Sequence, residues 1–317
     1  MREPLRDIHR PVLVQEVLDN LRLVTDESIF VDVTVGLGGH AQAVLERFPA
    51  ASVMGIDVDG DVLSRCKTRL KPFGERAMMV LGSYENLGNL LFGAGVKVAD
   101  TILIDTGVSS YDIDTPERGF SFSLDGPLDM RYSQDSQTRT AKDVVNREQE
   151  GNLRRILRDY GEVPFAGRIA SAVAKARGGR PIETTGQLVE VVRRSVGRRI
   201  GYGKLEGLLA KVFQAIRIAV NRELEVLEAG LRQSIELLAS GGRILVICYE
   251  SLSHRLTKRV FREFEKGCIC PSDAPVCTCG RKPEVRIVTR RAIRPSASEV
   301  ADNNRSRSAG LRVAERL

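Results

Sequence analysis

Ile29-Phe-Val-Asp-Val-Thr-Val35 is followed directly by the glycine-rich Gly36-Leu-Gly-Gly39, and these two segments are the strongest indication of the fold. The first part is apolar and rich in β-branched residues, which predicts a buried strand. Ala41-Gln-Ala-Val-Leu-Glu-Arg47 comes next and has the pattern of a helix. A strand, a tight glycine turn and a helix in this order indicate an α/β protein.

The same pattern recurs along the chain. Four further apolar runs are predicted strands: Val53–Ile56, Ala77–Leu81, Thr101–Ile104 and Arg243–Cys248. The first three of these runs end at Asp57, Gly82 and Asp105. Strands that alternate with helices pair in parallel, and open parallel sheets bind their ligands at the carboxyl ends of the strands. We therefore expect an α/β sheet with its site at these strand ends.

The middle of the chain interrupts this alternation of strands and helices. Residues 113–211 show helical periodicity without a comparable strand run, which predicts a helical insertion between a sheet domain of residues 1–112 and 212–317. Apolar residues at helical spacing from Phe213 to Leu238 predict one long amphipathic helix before the last predicted strand. The insertion is the expected substrate-binding part.

Charge is concentrated in two segments of this 317-residue chain, whose net charge is +7. Residues 147–211 carry 14 Lys and Arg against 7 Asp and Glu, and residues 281–317 carry 10 against 4. Two basic segments favour a polyanion such as RNA, since phosphate neutralisation supplies most sequence-independent affinity for nucleic acid. Four arginines are the predicted phosphate contacts: Arg193, Arg194, Arg290 and Arg291. A solvated basic surface without a ligand is the alternative.

The chain has no apolar run near the ~18 residues that span a membrane, and its first residues lack the apolar core of a signal peptide. These features predict a cytoplasmic protein without a membrane partner. They leave its oligomeric state open.

The glycine turn is a candidate cofactor site. Residues Gly36 to Ala41 fit a loose G-x-G-x-x-G/A pattern, and Asp57 follows about 20 residues later, at the spacing of a ribose-binding acid. Glycines let the backbone approach a ligand closely, and a carboxylate can accept hydrogen bonds from both ribose hydroxyls. S-adenosylmethionine and a nicotinamide cofactor would use these features equally well.

Asp105-Thr-Gly-Val-Ser-Ser110 favours the first of these cofactors. Methyltransferases place polar groups at the end of the fourth strand, where they face the methyl group to be transferred. An acceptor for the N–H of a poorly nucleophilic amine can orient the lone pair of its nitrogen for attack on the methyl group. Asp105 or a nearby backbone carbonyl is the candidate acceptor. An aspartate that caps the next turn is the alternative.

Eight segments resemble the RsmH (MraW) family of 16S ribosomal RNA cytosine-N(4) methyltransferases. They are His9-Arg-Pro-Val-Leu13, Asp32-Val-Thr-Val-Gly-Leu-Gly-Gly-His40, Ile56-Asp-Val-Asp59, Gly107-Val-Ser-Ser110, Pro116-Glu-Arg-Gly-Phe-Ser-Phe122, Asp125-Gly-Pro-Leu-Asp-Met-Arg131, Phe213-Gln-Ala-Ile-Arg-Ile-Ala-Val-Asn221 and Arg305-Ser-Arg-Ser308. The resemblance implies a Rossmann-like S-adenosylmethionine-dependent methyltransferase sheet with an inserted helical domain. It also implies small-subunit ribosomal RNA as the partner.

The resemblance implies a set of residues that contact S-adenosylmethionine. They are Gly38, Gly39, His40, Asp57, Tyr84 and Asp105, with Asp112 at a position where the family usually has glutamine. The sequence departs from the family at Glu250–Arg255, at Leu208–Val212 and at Thr106. These departures leave open a second interpretation, an RNA-binding ribosome assembly factor with an altered target or no methyl transfer.

Four cysteines form two C-x-C pairs with six residues between them: Cys268, Cys270, Cys277 and Cys279. Four thiolates can hold zinc, and reduced thiols in a cytosolic loop are the alternative. Cys66 and Cys248 lie in predicted helix and strand runs, so we expect them in the core.

Overall fold

The computed structural model describes residues 11–23, 28–135, 137–197, 201, 204–268, 270, 276 and 278–317. The described residues form two compact units, which we call the sheet unit (residues up to Gly107 and from Leu224) and the helical unit (Val108–Glu223). The boundaries therefore follow Gly107 and Glu223, whereas the sequence pattern placed them after residues 112 and 211.

Seven strands and their flanking helices make up the sheet unit, together with α11, whose first residue is Glu223. In chain order they are α1 (Val14–Asn20), β1 (Ile29–Asp32), α2 (Gly39–Arg47), β2 (Ser52–Asp57), α3 (Gly60–Leu70), β3 (Ala77–Leu81), α4 (Leu87–Gly93), β4 (Ala99–Asp105), α11 (Glu223–Leu237), β5 (Leu238–Cys248), α12 (Ser251–Lys266), β6 (Val285–Ile287), α13 (Ala297–Asp302) and β7 (Gly310–Arg316).

The sheet has the strand order β3-β2-β1-β4-β5-β7-β6. Strands β1 to β5 pair in parallel, and β7 pairs antiparallel with both β5 and β6. This arrangement is a Rossmann-like α/β sheet, so the predicted fold class is confirmed. The carboxyl ends of β2, β1 and β4 consequently lie side by side at one edge of the sheet.

Helices cover both faces of the sheet because successive strand side chains point in opposite directions. In β4, Ile102 and Ile104 belong to one apolar cluster and Leu103 belongs to the other. Cys66 and Cys248 are fully buried, which confirms the prediction that they are core residues.

The helical unit contains six helices among the residues that are described. They are α5 (Ser110–Asp114), α6 (Ala141–Arg147), α7 (Glu150–Gly161), α8 (Ala166–Gly179), α9 (Thr185–Val196) and α10 (Leu205–Asn221). Thr140 and Thr184 begin α6 and α9 with capping boxes, in which each hydroxyl accepts the N–H three residues later. The buried Asn221 amide donates to the Met130 carbonyl at 2.8 Å and accepts from the Tyr132 N–H at 2.9 Å.

The prediction of one long helix from Phe213 to Leu238 is wrong. The chain leaves helical geometry at Arg222, whose φ of 51° is left-handed, and a new helix begins at Glu223. The apolar periodicity continues across this break, so spacing alone could not reveal it. None of the helices among the described residues could cross a membrane.

Candidate active site

Three aspartates end neighbouring strands of the sheet unit. Asp57 ends β2, Asp32 ends β1 and Asp105 ends β4. The sequence pattern identified Asp57 and Asp105 but missed Asp32, which is buried. The predicted strand ran from Ile29 to Val35 and so placed Asp32 in its interior, whereas β1 ends at Asp32; an acid within an apolar run was the signal available in the sequence. The three carboxyl groups form the acid cluster of this site.

Burial in the acid cluster disfavours charge. Burial is the main reason that the pKa of Asp32 is raised to about 8. The hydrogen bond from the Thr34 N–H lowers this pKa, whereas the nearby carboxyl groups of Asp105 and Asp57 raise it. Burial raises the pKa of Asp105 to about 7, although the hydrogen bond with the Tyr249 hydroxyl lowers it. A positively charged group placed among these carboxyls would favour their ionised forms. The cluster is therefore electrostatically suited to a cation.

Asp57 holds the glycine turn against the second strand. One carboxylate oxygen accepts the Gly36 N–H at 2.9 Å, and the other accepts the Asp59 N–H at 3.0 Å. Each carboxylate oxygen has room for more than one donor. The half-buried side chain can therefore accept a diol from a ligand while these two bonds fix its orientation.

Gly38 allows the turn to pass close to α3. Its φ is 81°, and a Cβ at this position would lie 2.8 Å from Cys66 Sγ. Gly39 follows as the first residue of α2. The glycines identified from the sequence therefore permit a left-handed turn and close packing, and both lie beside the residues that carry the acid cluster.

His40 extends this arrangement towards Asp105. Its Nε2 lies 2.9 Å from the Val12 carbonyl oxygen, which can only accept, so Nε2 carries the proton. Nδ1 lies 4.0 Å from Asp105 Oδ2. The histidine is buried and its tautomer is fixed by the backbone.

Asp105 is positioned by one residue that follows β1 and one that follows β5. Its N–H donates to Thr34 Oγ1 at 2.7 Å, and the Tyr249 side chain that follows β5 interacts with its carboxyl group. Asp105 Oδ1 and the neighbouring Thr106 Oγ1 are buried and have no hydrogen-bond partner among the described residues. Buried polar atoms are normally paired, so these two atoms fit a ligand. Sequence reasoning missed Tyr249, because it lies far from Asp105 along the chain.

The last two residues of the predicted cofactor set lie in different units. Tyr84 follows β3 in the sheet unit, and its ring packs against Gly230 of α11. Asp112 belongs to the helical unit, where it accepts the Ser109 hydroxyl at 2.6 Å and pairs with Arg118 at 2.9 Å. Asp112 thus closes the capping box of α5 and forms a buried ion pair. A role in cofactor binding stays a prediction for all seven residues.

The predicted phosphate contacts are exposed. Arg193 and Arg194 lie on α9 and both pair with Glu190, with exposed fractions of 60% and 79%. Arg290 is 78% exposed and pairs with Glu265 at 3.3 Å, and Arg291 is exposed. Exposed ion pairs contribute roughly 0–1 kcal/mol, so a phosphate can replace such a carboxylate at little cost.

The structure explains the departures from the family pattern at two positions and gives the charge state of a third. Leu208 and Val212 are buried in the apolar core of the helical unit, which accounts for apolar residues there. Burial, with help from Arg312 and Arg294, lowers the pKa of His254 to about 4. His254 is consequently neutral near pH 7 and does not act there as a cation.

The sheet order, the antiparallel β7 and the acid cluster at the carboxyl ends of β2, β1 and β4 define the class of Rossmann-like S-adenosylmethionine-dependent methyltransferases. Within this class, the family model described as the MraW methylase family matches residues 6–317, so the chain belongs to that family. The match decides between the two cofactors that the glycine turn allowed, in favour of S-adenosylmethionine.

Relatives of similar length support this assignment. The chain is 42% identical over 309 residues to the ribosomal RNA small subunit methyltransferase H of Finegoldia magna, covering 98% of each chain. It is 43% identical over 318 residues to the protein of the same name from Syntrophus aciditrophicus, covering 100% of each chain. The corresponding protein of Syntrophotalea carbinolica is 44% identical over 310 residues, with 98% of each chain covered.

Proposed function

We propose that this protein methylates the exocyclic amine of a cytosine in 16S ribosomal RNA, in the cytoplasm, with S-adenosylmethionine as the methyl donor. The observation that carries the proposal is the family match over residues 6–317, on a sheet whose strand ends bear the acid cluster. The basic segments of the chain suit an RNA substrate.

The residues of the sheet unit fit this cofactor. S-adenosylmethionine supplies an electrophilic methyl group on a positively charged sulfur. Asp57 would accept hydrogen bonds from the ribose, and the turn at Gly38 and Gly39 would line the same ligand. Asp32 and Asp105 would balance the positive charge of the sulfur. That charge would in turn favour the ionised form of both carboxyl groups, whose pKa values are raised in its absence.

Asp105 would act on the amine of the substrate. As a carboxylate it can accept an N–H of the amine, which orients the nitrogen lone pair and takes up the proton that the amine loses after methylation. With a pKa of about 7, both forms of Asp105 are populated near neutral pH.

The two basic segments would bind phosphates on different parts of a folded RNA. Charge reversal at Arg193 and Arg194, or at Arg290 and Arg291, should flatten the dependence of log affinity on log salt by about one unit per lost contact. Lys67→Glu, on an exposed part of α3, is the control for net charge. Equal salt slopes in all these variants would contradict docking by the two segments.

Radiolabelled methyl transfer tests the function itself. The enzyme should methylate intact small subunits or long structured RNA better than a short oligonucleotide, because a short fragment presents only one phosphate patch at a time. Asp105→Asn should lower turnover by about 100-fold, and Asp61→Asn, at an exposed aspartate, should not. Tight RNA binding without any methyl transfer would instead support the assembly-factor interpretation.

A further inference from the structure

The loop between α12 and β6 is held closed at its base. The Glu284 N–H donates to the Phe264 carbonyl at 2.9 Å, which ties the end of the loop to the last turn of α12. Gly267 begins the loop with a φ of 67°, and a Cβ there would lie 2.5 Å from both the Lys282 oxygen and the Pro283 nitrogen. Only glycine allows this close approach of the two loop ends.

Three thiols converge inside this closed loop. The Sγ atoms of Cys268, Cys270 and Cys279 all lie within 4.8 Å of one another. Cys268 and Cys279 are 3.8 Å apart, sulfur to sulfur. All three side chains are half-buried, and among the described residues no other three Cys, His, Asp or Glu side chains lie close enough together to hold one metal ion.

The sulfur separation indicates the chemistry of the cluster. A disulfide would require about 2.05 Å between the sulfurs. Tetrahedral zinc with Zn–S bonds of about 2.3 Å places two of its sulfurs about 3.8 Å apart. In a [4Fe–4S] cluster each thiolate binds a different iron, so its thiolates are further apart than thiolates that share one ion. The observed distance matches two ligands of a single tetrahedral ion.

We propose that Cys268, Cys270 and Cys279 bind a structural zinc ion in the α12–β6 loop. The sequence offers Cys277 of the same loop as the fourth ligand, and this residue lies outside the described residues. Four thiolates complete the coordination of zinc and leave no open position, which is typical of a structural site. The ion would hold together the loop that leads into the basic segment of residues 281–317.

Metal analysis of the full-length protein tests the proposal directly. Protein without an affinity tag should contain about one zinc per chain, and Co²⁺ in its place should give thiolate-to-cobalt charge-transfer absorption of a tetrahedral site. Cys268→Ser, Cys279→Ser and Cys277→Ser should each lose most of the metal. Cys66→Ala, which removes a buried cysteine outside the loop, should keep it.

A readout on the wild-type chain covers the case in which a cysteine variant fails to fold. A mercurial thiol reagent releases the metal, and a chromogenic chelator reports the release. Trypsin should then cleave after the exposed Arg281 severalfold faster, because the loop without its metal is closed only at its base. Affinity for S-adenosylmethionine should stay unchanged. A metal-free wild-type protein, or metal content that Cys277→Ser and Cys66→Ala reduce equally, would overturn the proposal.

Discussion

Replacing Asp105 by asparagine removes a carboxyl group whose pKa is raised by burial from 3.8 to about 7. The folded protein therefore binds this proton more tightly than the unfolded chain does. Its contribution to stability is fully present below about pH 4 and is lost as the pH rises to about 7. Asp105→Asn cannot titrate, so its stability lacks this pH-dependent contribution.

The magnitude follows from linkage. Each pH unit between the two pKa values changes the free energy of unfolding by about 1.4 kcal/mol, so wild type should lose about 2 kcal/mol between about pH 5.5 and pH 7 through this group. Asp105→Asn should therefore gain about 2 kcal/mol relative to wild type over this interval. Asp32 titrates in both proteins, so its direct contribution largely cancels in the comparison.

Urea unfolding without cofactor at both pH values measures the difference, with Asp61→Asn as an exposed control. The control should follow wild type at both pH values. If Asp105→Asn and wild type changed in parallel between the two conditions, the raised pKa and the proton-accepting role that we assign to Asp105 would both be refuted. A loss of turnover alone would not distinguish this explanation from a misplaced side chain.

Three further substitutions test the site. Asp57→Ala should weaken S-adenosylmethionine binding by roughly 1.5–3 kcal/mol in calorimetry, and unchanged affinity in a folded variant would remove Asp57 from the site. Gly38→Ala should lower the free energy of unfolding by about 1–3 kcal/mol, because its φ is 81° and its Cβ would lie 2.8 Å from Cys66 Sγ. In urea unfolding, the double variant with Gly38→Ala and Cys66→Ala should lose less free energy of unfolding than the sum of the two single losses. Strictly additive losses would argue against a clash between the new Cβ and Cys66 Sγ. Tyr249→Phe removes a hydroxyl that lowers the pKa of Asp105, so the rise of kcat/KM with pH should move to higher pH. A pH profile that does not move would contradict this contact.

The sequence alone gave no sign of β6 and β7, but it was enough to predict the five parallel strands, the glycine turn and the strand-end acids Asp57 and Asp105. These features are local: apolar runs of strand length and the residues that end them can be identified without knowing the partners of each strand. The parallel order then follows from the alternation with helices, and it brings the strand ends to one edge. The family signature was equally visible, since its motifs are contiguous stretches of chain.

The residues that complete the site come from distant parts of the chain, and folding alone brings them together. Tyr249 reaches Asp105 because β5 lies beside β4, although more than a hundred residues separate them in the chain. The raised pKa of Asp32 arises from burial and from neighbours on two other strands, which no local pattern records. The helix break at Arg222 was hidden because the apolar periodicity continues through it. Local patterns fix secondary structure, but burial, charge coupling and chain reversal depend on contacts that exist only after the chain has folded.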